Sequence, residues 1–226
     1  MRTSLLLCLA FFIITPIFST ANDGPISTLT DQASDYYFAY SQKEFFELYI
    51  LDQPIDFNNP DIELLNAAIF HLTNKERYKR KLEPFLFSES LRNCAQFHSE
   101  QMRDRRFFSH TNRKNVEFNG VPDRTKYFGY KSGFVGENIC KVPSVTIKYN
   151  KAYHRTGKKP KYISKPLTYL ELAKTNMKLW MHSPGHRANI LSDDYIYLGC
   201  GNALPTPSSK GSKYVYNLAT QNFGGY

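Results

Sequence analysis

Two histidines and a serine stand together in the segment WMHSPGHRANIL, residues 180–191. A serine beside an imidazole is the starting material of nucleophilic catalysis, and a neutral imidazole is a metal ligand. The segment lacks the settings those chemistries use. Position 181 is Met, so no G-x-S-x-G elbow surrounds Ser183. No H-E-x-x-H occurs anywhere in the chain. Pro184 keeps the residue before it out of the helical region, so one helix should stop near His182. Ser183 is then expected as an N-cap, with Pro184 at the favoured first helical position and a short helix through Leu191. A capping hydroxyl accepts backbone N–H bonds, which competes with service as a nucleophile. His186 falls in the first turn, where the helix dipole disfavours imidazolium. A second candidate is Cys94 with His98, four apart on one helix face. They read as a thiol–imidazole pair or as a buried small thiol beside a satisfied core histidine. Nothing electropositive near Cys94 argues for a thiolate, which favours the second.

These residues need elements to hold them. A helix is expected from Asp61, with Ile62, Leu65, Ile69 and Leu72 on one face and basic residues at its far end. A second is expected from the N-cap Ser88, with Leu91, Cys94, Ala95, His98 and Met102 as its apolar stripe. From RRFFSH through GYKSGFVGENIC the chain reads as loop. A third helix spans about Leu167 to Met181. YIYLGCGNA and KYVYNLATQNF, rich in β-formers and joined by a Pro-, Ser- and Gly-rich loop, read as an antiparallel hairpin. Helices followed by such a pair argue for an α/β arrangement.

Composition narrows the setting. The chain has 226 residues with 42% hydrophobic and 15% aromatic content, enough for a proper core. Residues 1–21 carry Arg2, an apolar run from Leu5 to Phe18, and small residues Ser19 and Ala21 before Asn22, the plan of a secretory signal peptide. Residues 22–60 read as an acidic extension containing a short amphipathic helix around Lys43–Leu51. From residue 64 onward, 27 Lys and Arg face only 11 Asp and Glu. Such a field favours anionic partners: acidic polysaccharide, lipid headgroups of a membrane surface, or nucleic acid, which export makes the weakest of the three. It also serves solubility alone. Residues 141–166 hold eight cations and no acid, and read as a basic insert in which Lys158, Lys159 and Lys161 are candidate anion contacts. Beyond Cys8, only Cys94, Cys140 and Cys200 remain, so export permits a disulfide whose partners the sequence does not choose.

FFSH, GENI and SPGHRANIL, in that order, resemble the CAP superfamily of cysteine-rich secretory, antigen 5 and pathogenesis-related proteins, whose domain is also called SCP. LTNKERYKRKLEP, SLRNCAQFHSEQM and LATQNFGG are similar to its opening helix, second helix and final strand. The resemblance spans residues 61–226 and is to the compact microbial-type branch, since GHRANIL replaces the G-H-F-T-Q form. It implies a three-layer α-β-α sandwich with a mainly antiparallel central sheet and a cleft. Carried over, His110 comes from FFSH, Glu137 from GENI and His186 from PGHR. The fourth position, often glutamate, falls on Ser183. The resemblance further implies that His110 and His186, with Glu137 as third ligand, would hold Zn²⁺ or a similar ion, or else form a hydrogen-bonded polar cluster. His71, His98, His154 and His182 are expected to stay out of it. Two functions follow as expectations. One is a secreted binding module for a lipid, sterol or anionic envelope polysaccharide. The other is a metal-assisted, peptidase-like hydrolase with Glu137 as general base.

Overall fold

The computed structural model describes residues 31–113, 117–131, 133–149, 162–204 and 216–226. Residues 1–21, read as a signal peptide from the sequence, and Lys158, Lys159, Lys161 and His154 lie outside them. Chain order is α1 (Asp31–Phe38), α2 (Gln42–Phe46), a 3-10 turn (Tyr49–Asp52), α3 (Ile62–Tyr78), β1 (Leu86–Phe87), α4 (Glu89–Asp104), α5 (Val121–Tyr127), β2 (Val135–Pro143), β3 (Val145–Tyr149), β4 (Tyr162–Pro166), α6 (Tyr169–His182), α7 (Pro184–Leu191), β5 (Tyr197–Ala203) and β6 (Tyr216–Gly224).

The central sheet runs β1-β5-β6-β2, parallel only at the β1–β5 step, which makes it the mainly antiparallel sheet of an α/β sandwich. Alternation along the strands sorts its two faces. Gly199, Gly201, Thr220, Asn222 and Glu137 turn toward α4. Asn138, Cys140, Cys200 and Gln221 turn toward α3, α6 and α7. Glycine is required where α4 crosses β5. A Cβ at Gly199 or Gly201 would overlap the α4 backbone at Leu91–Arg92 or Ala95–Gln96. That close approach brings α4 down onto the sheet next to Glu137.

The helices start where capping side chains exist. Asp61 accepts the Leu64 N–H at 2.9 Å and Ser88 accepts the Leu91 N–H at 3.3 Å. Thr168 and Glu171 form a reciprocal capping box at the head of α6. Trp180, fully buried, anchors α6 in the larger core.

Several expectations change. The segment read as an acidic extension supplies core: Tyr36, Tyr37, Phe45, Leu51 and Ile55 are buried with α3 and α6. Its tyrosines reach the acids at the head of α3, Tyr36 donating to Asp61 at 2.8 Å and Tyr37 to Glu63 at 3.2 Å. Glu63 is also paired with Arg92 of α4. The stretch from RRFFSH to GENIC is not all loop. It holds α5, introduced by Gly120 with Pro122 in the first turn, and then β2. The flanks of the basic insert form a hairpin, β3 and β4 pairing antiparallel from Val145↔Pro166 to Tyr149↔Tyr162. Cys94, Cys140 and Cys200 are buried free thiols on α4, β2 and β5, so the disulfide left open by the sequence is not formed. Burial pushes all three thiols up in pKa, which keeps them protonated.

Candidate functional site

The sheet ends on β2, and three pieces of chain converge over that edge. The segment after α4 delivers His110 and α5 delivers Arg124, both onto β2, while α7 brings the His186 backbone against it. β2 itself delivers Glu137, whose side chain is 1% exposed. A carboxylate that deep needs partners. One oxygen, Oε1, accepts from His110 Nδ1 at 2.9 Å. The other, Oε2, takes an ion-paired hydrogen bond from Arg124 at 2.7 Å. Asn222 adds a donor 3.1 Å from Oε2, in the amide orientation that also lets its oxygen accept from the Ala95 N–H. Burial pushes the Glu137 pKa up. The His110 hydrogen bond, His98 and Arg124 outweigh burial and hold it below the usual carboxylate range.

Arg124 is the group that residue-by-residue reading missed. It is fully buried and spans the cluster, donating to the backbone oxygens of Phe118, Asn119 and His110 at 3.1–3.3 Å as well as to Glu137. A lone arginine in a polar stretch, thirteen residues before Glu137, carries no spacing signal. The only cue was its place in the GVPDR turn, where Asp123 and Gly120 start a helix.

His98 corrects a second expectation. It was set apart from the cleft, yet its Nε2 lies 3.7 Å from Glu137 Oε1 while bonding the Ser109 carbonyl at 3.0 Å. The reason is topological: Glu137 faces α4, so the buried stripe of α4 becomes one wall of the site. Burial pushes the His98 pKa down to about 4, so its ring is neutral near pH 7. His71 and His182 do stay elsewhere, bonded to the Tyr36 and Lys178 carbonyls.

His186 is half-buried, and its pKa is lowered first by burial and then by the charge of His110, so the two rings share one electrostatic neighbourhood. The backbone around it is tied to β2, with Asn138 donating to the His186 carbonyl at 3.0 Å and Asn189 donating to Asn138 at 2.9 Å. Ser183 sits at the start of α7 with extended backbone angles, but its hydroxyl makes no capping hydrogen bond, against expectation. The cap is made by backbone alone, the Arg187 N–H donating to the Ser183 carbonyl at 2.8 Å.

The fit to a divalent ion can be judged from the donors. Both Glu137 oxygens are engaged, one of them by a guanidinium that would stand beside the metal. No three His, Cys, Asp or Glu side chains converge as ligands among the described residues. A Zn²⁺ site needs free, convergent, anionic or neutral donors. The residues here do not supply one, and they form a hydrogen-bonded polar cluster instead.

The model of the Cysteine-rich secretory protein family, CAP, matches residues 70–223, which includes every cluster residue named above. The chain belongs to the CAP family. The chain is similar to YkwD of Bacillus subtilis (strain 168), 29% identical over 140 residues, covering 62% of this chain and 43% of that protein. The membrane protein YlbC of the same organism is 28% identical over 133 residues, covering 59% and 30%. The chain thus spans less than half the length of these relatives. A solved extracellular protein containing an SCP domain, from Bacillus anthracis, superposes with a TM-score of 0.50 at 22% identity, over 73% of this chain and 41% of that one. That likeness is one of fold. Among the described residues no helix is long and apolar enough to cross a membrane.

Proposed function

We propose that this CAP domain works as an exported binding module for an anionic component of a cell envelope, not as a metal-assisted hydrolase. The observation that carries the choice is the state of Glu137, which is buried, ion-paired with Arg124 and hydrogen-bonded to His110. A general base must offer a lone pair to a proton on the substrate. Here each oxygen already accepts from an internal donor, and the side chain is 1% exposed, so burial keeps a substrate proton from the remaining lone pairs. The cluster then serves to pin α4, α5, α7 and β2 together and give the cleft one shape. Export is supported by the apolar run Leu5–Phe18 and the small residues before Asn22. The anionic partner is supported by the cation excess from residue 64 onward.

The test is retention of the full chain on an immobilised acidic glycan and on its neutral counterpart as salt is raised. Attraction between exposed charges is screened within about 10 Å at 0.1 M salt. Retention on the acidic matrix should therefore fall steeply with salt, and the neutral matrix should retain nothing. Equal, salt-independent behaviour on both would remove the proposal.

A further inference from the structure

The groove between α3 and α6 lies away from the Glu137 cluster, and most of its polar lining is positive. It has a cavity volume of about 520 Å³. Lys75 and Lys79 stand one turn apart on α3, and Lys174 and Lys178 one turn apart on α6. Arg187 of α7 closes one end, where an adjoining hollow of about 330 Å³ continues toward Leu191. Arg80 brings the cations to six against a single acid, Glu76. That acid is consumed, since Lys79 and Arg80 both bind it, at 2.6 and 2.8 Å. Lys75 lies over the Phe46 ring at 5.0 Å. No carboxylate on the groove wall balances the α6 pair or Arg187.

On α3 the cations suit the helix C-terminus, and Lys79 and Arg80 share Glu76. The α6 pair has no such support: Lys174 and Lys178 stand one turn apart, where like charges repel, with no carboxylate on the groove wall between them. A single carboxylate or phosphate would neutralise only one or two of the six. Two facing rows of cations, spaced by a helical turn, match a linear chain that carries an anionic group on successive units. The floor of Leu72, Met177 and Met181 gives such a chain an apolar surface to lie on.

We infer that the α3–α6 groove is the docking site for a linear polyanionic glycan, with Lys174, Lys178 and Arg187 as principal contacts. The inference rests on the binding-module reading above and assigns that reading a site. It moves the site away from both the His/Glu cleft and the lysines of the 141–166 insert.

The experiment measures binding of the full chain to dextran sulfate, to neutral dextran and to phosphatidylglycerol vesicles. Three proteins are compared: wild type, Lys174→Glu/Lys178→Glu, and Lys126→Glu/Lys131→Glu. The last carries the same net-charge change on exposed residues outside the groove. A thermal melt of each confirms folding. The groove variant should bind dextran sulfate at least about tenfold more weakly than wild type, and the control variant only slightly more weakly. Equal weakening in both variants would overturn the groove assignment and leave the binding-module reading standing. No salt-dependent binding in the wild type would overturn both. Groove-dependent binding to the vesicles without binding to dextran sulfate would overturn the glycan in favour of a lipid surface.

Discussion

At the edge of β2 the charges are buried and cancel one another. Along the α3–α6 groove they are exposed and do not cancel. Glu137 and Arg124 are removed from water and held by each other, by His110 and by backbone. Lys174 and Lys178 stand in solvent with no carboxylate beside them in the groove. A buried, hydrogen-bonded pair contributes geometry, because burial keeps its charges away from a ligand. An exposed row of like charges contributes little to stability and a strong field to its surroundings. One domain therefore separates buried, paired charge from exposed, unbalanced charge, with α6 and α7 between the two.

The hardest test of that contrast is to remove one member of the buried pair. Arg124→Met should cost about 3–5 kcal/mol, because it leaves an uncompensated buried carboxylate. Pairing it with Glu137→Gln should recover part of the loss. Lys174→Ala or Lys178→Ala should stay within about 0.5 kcal/mol, as exposed substitutions do. Urea denaturation of the four variants measures all of this. If Arg124→Met were as mild as the lysine changes, the claim of a cancelled, shape-holding cluster would fail.

Acid should reach the same cluster next. The folded state holds His98 at about 4, below the ordinary histidine value of about 6.5. Its neutral form is the one the fold accommodates. Stability is therefore full above about pH 6.5 and is lost as pH falls toward 4, by up to about 3 kcal/mol from this residue. His71, also lowered by burial, adds in the same direction. Glu137, lowered overall, adds a further loss only once pH passes below the ordinary carboxylate range. Denaturation midpoints at pH 7, 5.5 and 4.5 should decline in the wild type and decline less in His98→Gln. A flat profile in the wild type would mean that His98 is not held neutral by burial.

Much of this was legible in sequence where a pattern repeats. The stripes of α3, α4 and α6 and the β-rich run of β5 and β6 carry their own periodicity, so their packing follows from local residue types. The ordered motifs also pointed to His110, Glu137 and His186 before any geometry was available. What stayed hidden depends on contacts between distant segments. β2 contains Gly136, Glu137, Asn138 and Pro143, which read as loop. It is a strand because β6 pairs with it along its whole length and α4 and α7 cover its polar side chains. Residues 31–60 looked like an extension because their acids dominate the count, while the rings that enter the core are spread thinly among them. Arg124 and His98 join the site through the fold alone. Neither has a sequence neighbour that announces a carboxylate.

The smallest expected effect separates two serine and threonine residues that look alike in sequence. Thr168 and Ser183 each precede a helix. Thr168 accepts the Glu171 N–H at 3.2 Å, and Glu171 returns a bond to the Thr168 N–H at 2.9 Å. Thr168→Ala should then cost about 1 kcal/mol, the usual penalty for losing a side-chain cap. Ser183 makes no such bond, so the cost of about 0.5–2 kcal/mol expected from its position shrinks to within about 0.5 kcal/mol. Ser183→Ala should also leave glycan binding unchanged, since Ser183 lines neither the groove nor the hollow beside it. A loss of stability equal to that of Thr168→Ala would mean that the hydroxyl caps α7 in solution. A loss of binding with stability kept would shift the binding site toward the cleft and away from the α3–α6 groove.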